Sequence, residues 1–250
     1  MKIAVTGKGG SGKSTVAGAL ARQLARSGNE VVAIDADPNP NLGVALGVGQ
    51  AGVESLVPIL NGLLAAGHTH DDPTPDPDDL LERFGLVAPD GVRLVATGKI
   101  ERPTDSCLCC GSHSTTRAFF GALPAVNRVV VADLEAGLND LIWAKPGAGD
   151  CVLVVADPSA KAVDIARRGV DLAHSMGVTQ ILGVANRCAG DQDRAALARA
   201  LGIEVISIPE DPAVEKANAA GVAPLDASPD SPAMMAIAGL VARLAPRRAH

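Results

Sequence analysis

Gly7-Lys8-Gly9-Gly10-Ser11-Gly12-Lys13-Ser14-Thr15 decides how the rest of the chain is read. A short apolar run, Ile3-Ala4-Val5, leads into it, and an Ala-rich amphipathic stretch from Ser14 to Ser27 leads out. That is strand, turn and helix. The turn fits G-x-x-x-x-G-K-[ST], with Gly7 and Gly12 as its fixed glycines. Glycines let the backbone curl with its N–H groups pointing inward. The helix N-terminus adds partial positive charge, and together they make a concave anion site. Gly9, Gly10, Ser11, Gly12 and Thr15 are expected to wrap the phosphates of a nucleotide. Lys13 is expected to reach the β- and γ-phosphates, and the Ser14 hydroxyl to face Mg²⁺.

Outward from this loop, short β-branched runs alternate with Ala- and Leu-rich ones. Strands are expected at Lys2–Thr6, Val31–Asp35, Val92–Ala96, Arg128–Asp133, Cys151–Ala156, Gln180–Ala185 and Glu204–Ile208. Most are continuous apolar runs, as in strands buried on both faces. Helices are expected at Lys13–Ser27, Val53–Ala65, His113–Leu123, Ser159–Met176, Asp191–Leu201, Asp211–Ala220 and Pro232–Leu244. The alternation predicts an α/β fold: a doubly wound, mostly parallel sheet flanked by helices, in a single domain over residues 1–250. Asp90-Gly91 between two apolar runs is a hairpin signal and predicts one antiparallel strand. His68 to Asp79 is acidic and Pro-rich; it reads as a solvated loop, with His and Asp as metal ligands the alternative.

Composition narrows the function classes. The 250 residues are 47% hydrophobic but contain one Trp, three Phe and no Tyr, so the core must be mostly Ala, Val, Leu and Ile. A net charge of −6 argues against nucleic acid as the main ligand. Met1-Lys2-Ile3 runs directly into a strand, so no signal peptide is expected, and no apolar run is long enough for a membrane span. A cytoplasmic location is expected, with no stable membrane anchor; Met234–Leu244 reads as a packing helix, too poor in Lys and Arg on its polar face for an interfacial one. Five cysteines in a reducing compartment do not suggest a disulfide framework. Cys151 and Cys188 fall in or beside apolar strands and read as core.

Carboxylates recur at strand C-termini, where ligands bind in open α/β sheets. Val129-Val130-Val131-Ala132-Asp133 is an apolar strand ending in an acid, a pattern that holds Mg²⁺ through water when it accompanies a phosphate loop. Gly137, shortly after, suits a loop whose amide senses the γ-phosphate. Asp35 and Asp37, in Asp35-Ala36-Asp37-Pro38-Asn39-Pro40-Asn41, either act on the ligand or cap the next helix. Asn186 offers donor and acceptor to a purine edge, and Ile208-Pro209-Glu210-Asp211-Pro212 stands where it would wall the base or ribose. Both segments also read as turn chemistry. Glu135 has no partner that the sequence identifies.

Three cysteines crowd into Ser106-Cys107-Leu108-Cys109-Cys110-Gly111, just ahead of a helix pattern. Thiolates there have lowered pKa values and favour metal. Two or three from one loop do not complete a tetrahedral site, but a twofold dimer brings a second set. Buried unreactive thiols are the bland alternative.

Lys8, five residues before Lys13, makes the loop resemble the deviant phosphate-loop ATPases, which include the nitrogenase iron protein, the partition and septum-placement ATPases and the metal-insertion ATPases. The resemblance implies ATP hydrolysis and an ATP-sandwiched homodimer, with Lys8 crossing to the partner's nucleotide. It implies that Asp37 orients the attacking water while Asp35 lies nearer the Mg²⁺. Gly98-Lys99-Ile100, a Cys-x-Cys segment and Asp133-Leu134-Glu135-Ala136-Gly137 look more narrowly like the carbon monoxide dehydrogenase maturation ATPases, over nearly the whole chain. That implies Ni²⁺ or Zn²⁺ bound by Cys-x-Cys from both subunits and nickel insertion into a client metalloenzyme. Cys110 is the departure, leaving open which of Cys107, Cys109 and Cys110 are ligands. A reductase-type ATPase with a [4Fe–4S] cluster and a partition- or septum-type positioning ATPase are the alternatives. The first lacks a cysteine between Asp133 and Asp140 of the nitrogenase type.

Overall fold

A computed structural model of the chain describes residues 1–69, 72, 73, 75–100, 106–137 and 149–244, with backbone only for 106–110. Its strands are β1 (Lys2–Gly7), β2 (Glu30–Asp35), β3 (Leu86–Val87), β4 (Arg93–Ala96), β5 (Arg128–Asp133), β6 (Cys151–Ala156), β7 (Gln180–Cys188) and β8 (Val205–Pro209). They form one eight-stranded sheet in the order β3-β4-β2-β5-β1-β6-β7-β8. Every neighbouring pair is parallel except β3 with β4, where Leu86 faces Leu94. The expected antiparallel strand is therefore present, turned by a single 3₁₀ turn at Pro89–Gly91.

The helices are α1 (Lys13–Arg26), α2 (Leu42–Leu46), α3 (Gly49–Ser55), α4 (Ile59–Ala65), α5 (Pro77–Phe84), α6 (Ser106–Ala122), α7 (Ala160–Ser175), α8 (Asp191–Leu201), α9 (Pro212–Ala219), α10 (Pro224–Ala227) and α11 (Pro232–Leu244). Side chains alternate across a strand, so the continuous apolar runs feed two cores. Ile3, Val5, Ala33, Val131 and Leu153 face α1 and α11. Ala4, Ile34, Val130, Val152 and Val154 face α6 and α7, including Phe119 and Phe120. This is the doubly wound arrangement expected from the alternation.

The departures have local causes. The expected helix Val53–Ala65 is two helices, because Pro58 sits extended (φ −64°, ψ 147°) between them. The expected loop through Asp79 ends earlier: Asp76 accepts N–H groups of Asp78 and Asp79 and starts α5 with Pro77 in its first turn. His70, Asp71 and Thr74 of that loop lie outside the described residues. α6 begins at Ser106 rather than His113, so the cysteine segment is helical backbone. α11 is a packing helix: Met234, Ile237, Leu240 and Leu244 are buried against the α1 side of the sheet, each worth roughly 1.5–3 kcal/mol of transfer free energy. No helix among the described residues is long and apolar enough to cross a membrane.

Candidate functional site

β1 is the central strand, paired with β5 on one side and β6 on the other. Its C-terminal end delivers the phosphate loop into the crevice between them. Gly7 passes so close to β6 that a Cβ there would run into the Val155 carbonyl oxygen. Ser11 N–H closes the loop onto Lys8 O at 3.1 Å. Gly12, at φ 92°, ψ 19°, is the residue before α1, and neither a side-chain cap nor an acidic residue occupies the first turn of α1. The helix N-terminus thus keeps its N–H groups and positive end for an anion.

Two side chains from the far end of the sequence hold this loop. Asn186, buried at the end of β7, donates Nδ2–H to Ser11 O at 2.8 Å and lies directly against Gly12. Arg187 donates Nη1–H to Gly10 O at 2.9 Å from a left-handed backbone, φ 57°. A non-glycine residue held there is strained, and such strain clusters at sites. Sequence reasoning missed Arg187; its only signal was its place beside Asn186 at a strand end. The Asn186 amide donor is committed to the loop, so any base contact falls to its remaining groups.

The acidic side of the site comes from β2 and β5, whose Asp35 and Asp133 are partners in register. Asp133 is buried, hydrogen-bonded by the Ser14 hydroxyl and close to the Lys13 ammonium. Burial outweighs both and pushes its pKa up to about 6. Its Oδ1 is buried with no hydrogen-bond partner. Asp35 accepts the N–H of Asp37 at 3.2 Å and of Leu42 at 2.8 Å. Burial first, then the Asp133 charge, lifts its pKa to about 8 in spite of those bonds. Of the two readings for Asp35, capping is the one this geometry carries: both its oxygens hold backbone, and Leu42 opens α2. Asp37 is half-buried, with Oδ1 receiving Asn39 N–H at 2.8 Å.

An orphaned, buried carboxylate oxygen beside a serine hydroxyl fits Mg²⁺. Among the described residues no three His, Cys, Asp or Glu converge as a ready-made metal cage. That agrees with the chemistry of Mg²⁺, which keeps several waters and takes one or two protein carboxylates plus phosphate oxygens.

The remaining site residues fall around this centre. Lys8 is half-buried, and its charge, with that of Arg187, reaches Asp157. Asn186, Ile208, Pro209, Asp211, Val214 and Met234 line one cleft with Gly12 and Thr15. Within it Asp211 is a structural lock: Oδ1 accepts Ala213 N–H and Oδ2 accepts Ala233 N–H, each at 3.0 Å, joining α9 to α11. Burial alone would raise its pKa; these bonds and those from Ser231 and Val214 win and hold it below the usual range. Glu210 is exposed. After β5 the chain returns to the phosphate loop: Gly137 N–H donates to Gly7 O at 3.0 Å and Thr6 Oγ1 donates to Gly137 O at 2.9 Å. The side chains of Cys107, Cys109 and Cys110 lie outside the described residues; their backbone forms the first turns of α6.

A phosphate loop at the end of the central strand of a doubly wound sheet, faced by strand-terminal carboxylates, defines a P-loop nucleotide-binding ATPase. The chain belongs to the CobQ/CobB/MinD/ParA nucleotide-binding domain family, whose model matches residues 2–225. It is 35% identical over 241 residues to the carbon monoxide dehydrogenase accessory protein CooC of Rhodospirillum rubrum, covering 92% of this chain and 91% of that one. It is 29% identical over 235 residues to an uncharacterized ATP-binding protein of Methanocaldococcus jannaschii, covering 88% and 90%. Among solved structures, the septum site-determining protein MinD of Pyrococcus horikoshii with Mg-ADP shares the fold with a TM-score of 0.74 at 21% identity, over 99% of this chain and 98% of that one. A ParA family ATPase of Chlorobium tepidum does so with a TM-score of 0.74 at 18% identity, over 97% and 98%.

Proposed function

We propose that this chain is a metal-maturation ATPase. It dimerises on binding ATP and holds Ni²⁺ or Zn²⁺ through Cys107, Cys109 and Cys110 of two copies. ATP turnover then serves nickel insertion into a client metalloenzyme of the carbon monoxide dehydrogenase kind. One observation carries the reading: a chain 35% identical to a carbon monoxide dehydrogenase accessory protein over 92% of its length carries Cys107, Cys109 and Cys110 together in the first turns of α6.

In this reading the phosphate loop and the α1 N-terminus bind the triphosphate, and the buried Lys13 lies along its β- and γ-oxygens. Ser14 and Asp133 would hold Mg²⁺, which when bound would supply positive charge to the phosphate oxygens. Asp37 orients a water whose oxygen bonds to the γ-phosphorus as the bond to the β-bridging oxygen breaks. ADP leaves, and the water's proton ends on phosphate. Lys8 of the second copy stabilises charge on the bridging oxygen.

Sedimentation with and without a non-hydrolysable ATP analogue, on wild type and Lys8→Ala, tests this. The expected result is an ATP-dependent dimer in wild type. The variant binds the analogue, stays monomeric and loses turnover by about a thousandfold or more, the scale of an arginine-finger group. Full turnover in a monomeric Lys8→Ala protein overturns the sandwich mechanism.

A further inference from the structure

The sequence leaves Glu135 without a partner; the structure supplies one. Glu135 Oε2 lies 3.2 Å from Nε2 of His113, with the side chains 28% and 14% exposed. The two residues belong to segments with different tasks. Glu135 sits in the stretch after β5 that is stitched to the phosphate loop. Leu134 N–H donates to Val5 O at 3.0 Å, Gly137 N–H donates to Gly7 O at 3.0 Å, and the Ala136 side chain covers Gly9. His113 sits on α6, one helical turn beyond Cys109 and Cys110, at the i+4 and i+3 positions that share a helix face with them.

α6 has a second attachment of a different kind. Thr97, at the end of β4, hydrogen-bonds Thr116 Oγ1 at 2.7 Å and Ser112 Oγ at 3.4 Å, and all three residues are buried. Thr97 also donates its N–H to Asp35 O at 3.0 Å. This neutral, water-excluded cluster fixes the middle of the helix to the sheet. The polar contact at His113 falls between Ser112 and Thr116 on the same helix, lies nearer solvent than they do, and joins α6 to the segment that follows β5. α6 is thus tied to the end of β4 by a buried anchor and to residues 134–137 by a partly exposed polar link.

We infer that the Glu135–His113 contact is the positioning link through which the nucleotide site sets the geometry of the cysteine segment. The inference rests on the metal-maturation reading for the purpose of the coupling. Its physical content is narrower: occupancy beside Gly9 and Gly137 shifts residues 134–137, and Glu135 carries that shift to the first turns of α6. Coupling of this sort is reciprocal, so metal at the cysteines changes nucleotide affinity by the same factor.

The test reads the cysteines without metal. Alkylation of Cys107, Cys109 and Cys110 by iodoacetamide is timed by mass spectrometry on the full-length protein, with and without a non-hydrolysable ATP analogue. Cys151 and Cys188, buried in the sheet, are internal controls. The analogue is expected to change the wild-type rate by about fivefold or more, the low end of ordinary coupling energies. Glu135→Ala and His113→Ala are expected to bind the analogue and bring that ratio close to one. Glu135→Gln, which keeps an acceptor, is expected to retain most of it; a merely structural role does not produce this rescue by the conservative variant. A wild-type rate indifferent to the analogue, or an alanine variant with the wild-type ratio, overturns the inference. Metal titration of the wild type is a separate arm: failure to bind Ni²⁺ or Zn²⁺ defeats the maturation reading and leaves the alkylation result to judge the link on its own.

Discussion

Replacing Gly12 by alanine, alone and together with Asn186→Ala, dissects how the phosphate loop is held. Gly12 has a left-handed backbone, and a Cβ there overlaps Asn186 Nδ2. The left-handed conformation costs an alanine about 1–2 kcal/mol. Displacing the Asn186 amide breaks its 2.8 Å bond to Ser11 O and strands polar groups in a site where Asn186 is only 8% exposed, a further cost of about 1–3 kcal/mol. Gly12→Ala alone is therefore expected to cost about 2–5 kcal/mol, and Asn186→Ala alone about 1–3 kcal/mol. In the double variant the amide is already gone, so the added methyl meets space and only the backbone strain remains. The double variant is expected to be more stable than the sum of the singles by about 1–3 kcal/mol, a clear coupling between residues in contact. Urea unfolding followed by far-ultraviolet circular dichroism on all four proteins measures it. Additivity within about 0.5 kcal/mol refutes the claim that Asn186 is the strut of the loop.

Two further outcomes follow from the same geometry. Arg22 is buried, with Nε 2.6 Å from Asp90 and Nη1 2.7 Å from Asp226; Arg22→Leu is expected to cost about 3 kcal/mol in thermal or urea unfolding, with part of the loss recovered in Arg22→Leu/Asp90→Asn. In the nucleotide-free protein, Asp35 and Asp133 have pKa values raised to about 8 and about 6, so the native state binds protons that the unfolded state has released. Stability is then fullest below the unfolded carboxylate pKa and falls as pH rises from about 4 to about 8; Asp35→Asn is expected to flatten that slope, and a urea midpoint that rises over this interval contradicts the assignment.

What the sequence made legible divides by the range of the interactions involved. β1, the phosphate loop and α1 are contiguous, and every residue that shapes them lies within one stretch. The buried parallel strands announce themselves because both faces of β2, β5 and β6 must be apolar. The start of α5 was readable too: Asp76-Pro77-Asp78-Asp79 is a cap followed by proline and two acids, masked by the acidic, Pro-rich composition around it. The short α2 carries too few residues for a periodicity and forms because Asp35 captures Leu42 N–H from the adjacent strand end. The struts of the loop, Asn186 and Arg187, are some 175 residues away in sequence from the carbonyls they hold, and only the register of β7 brings them there. Asp211 reads from sequence as a residue of the nucleotide wall, whereas its oxygens lock α9 to α11. Glu135 and His113 meet for the same long-range reason: neither segment signals the other until the sheet order sets α6 beside the end of β5.

Metal content per dimer tests the central claim most directly. The protein is purified anaerobically, loaded with a limited excess of Ni²⁺ or Zn²⁺ in the presence and absence of Mg-ATP, and freed of unbound ion. Metal is then counted against protein, beside a variant with Cys107, Cys109 and Cys110 all changed to serine. The expected result is one ion per dimer in wild type, with retention altered by Mg-ATP, and none in the triple variant. Equal metal in both proteins, or none in either, contradicts a maturation ATPase that carries its metal on this helix.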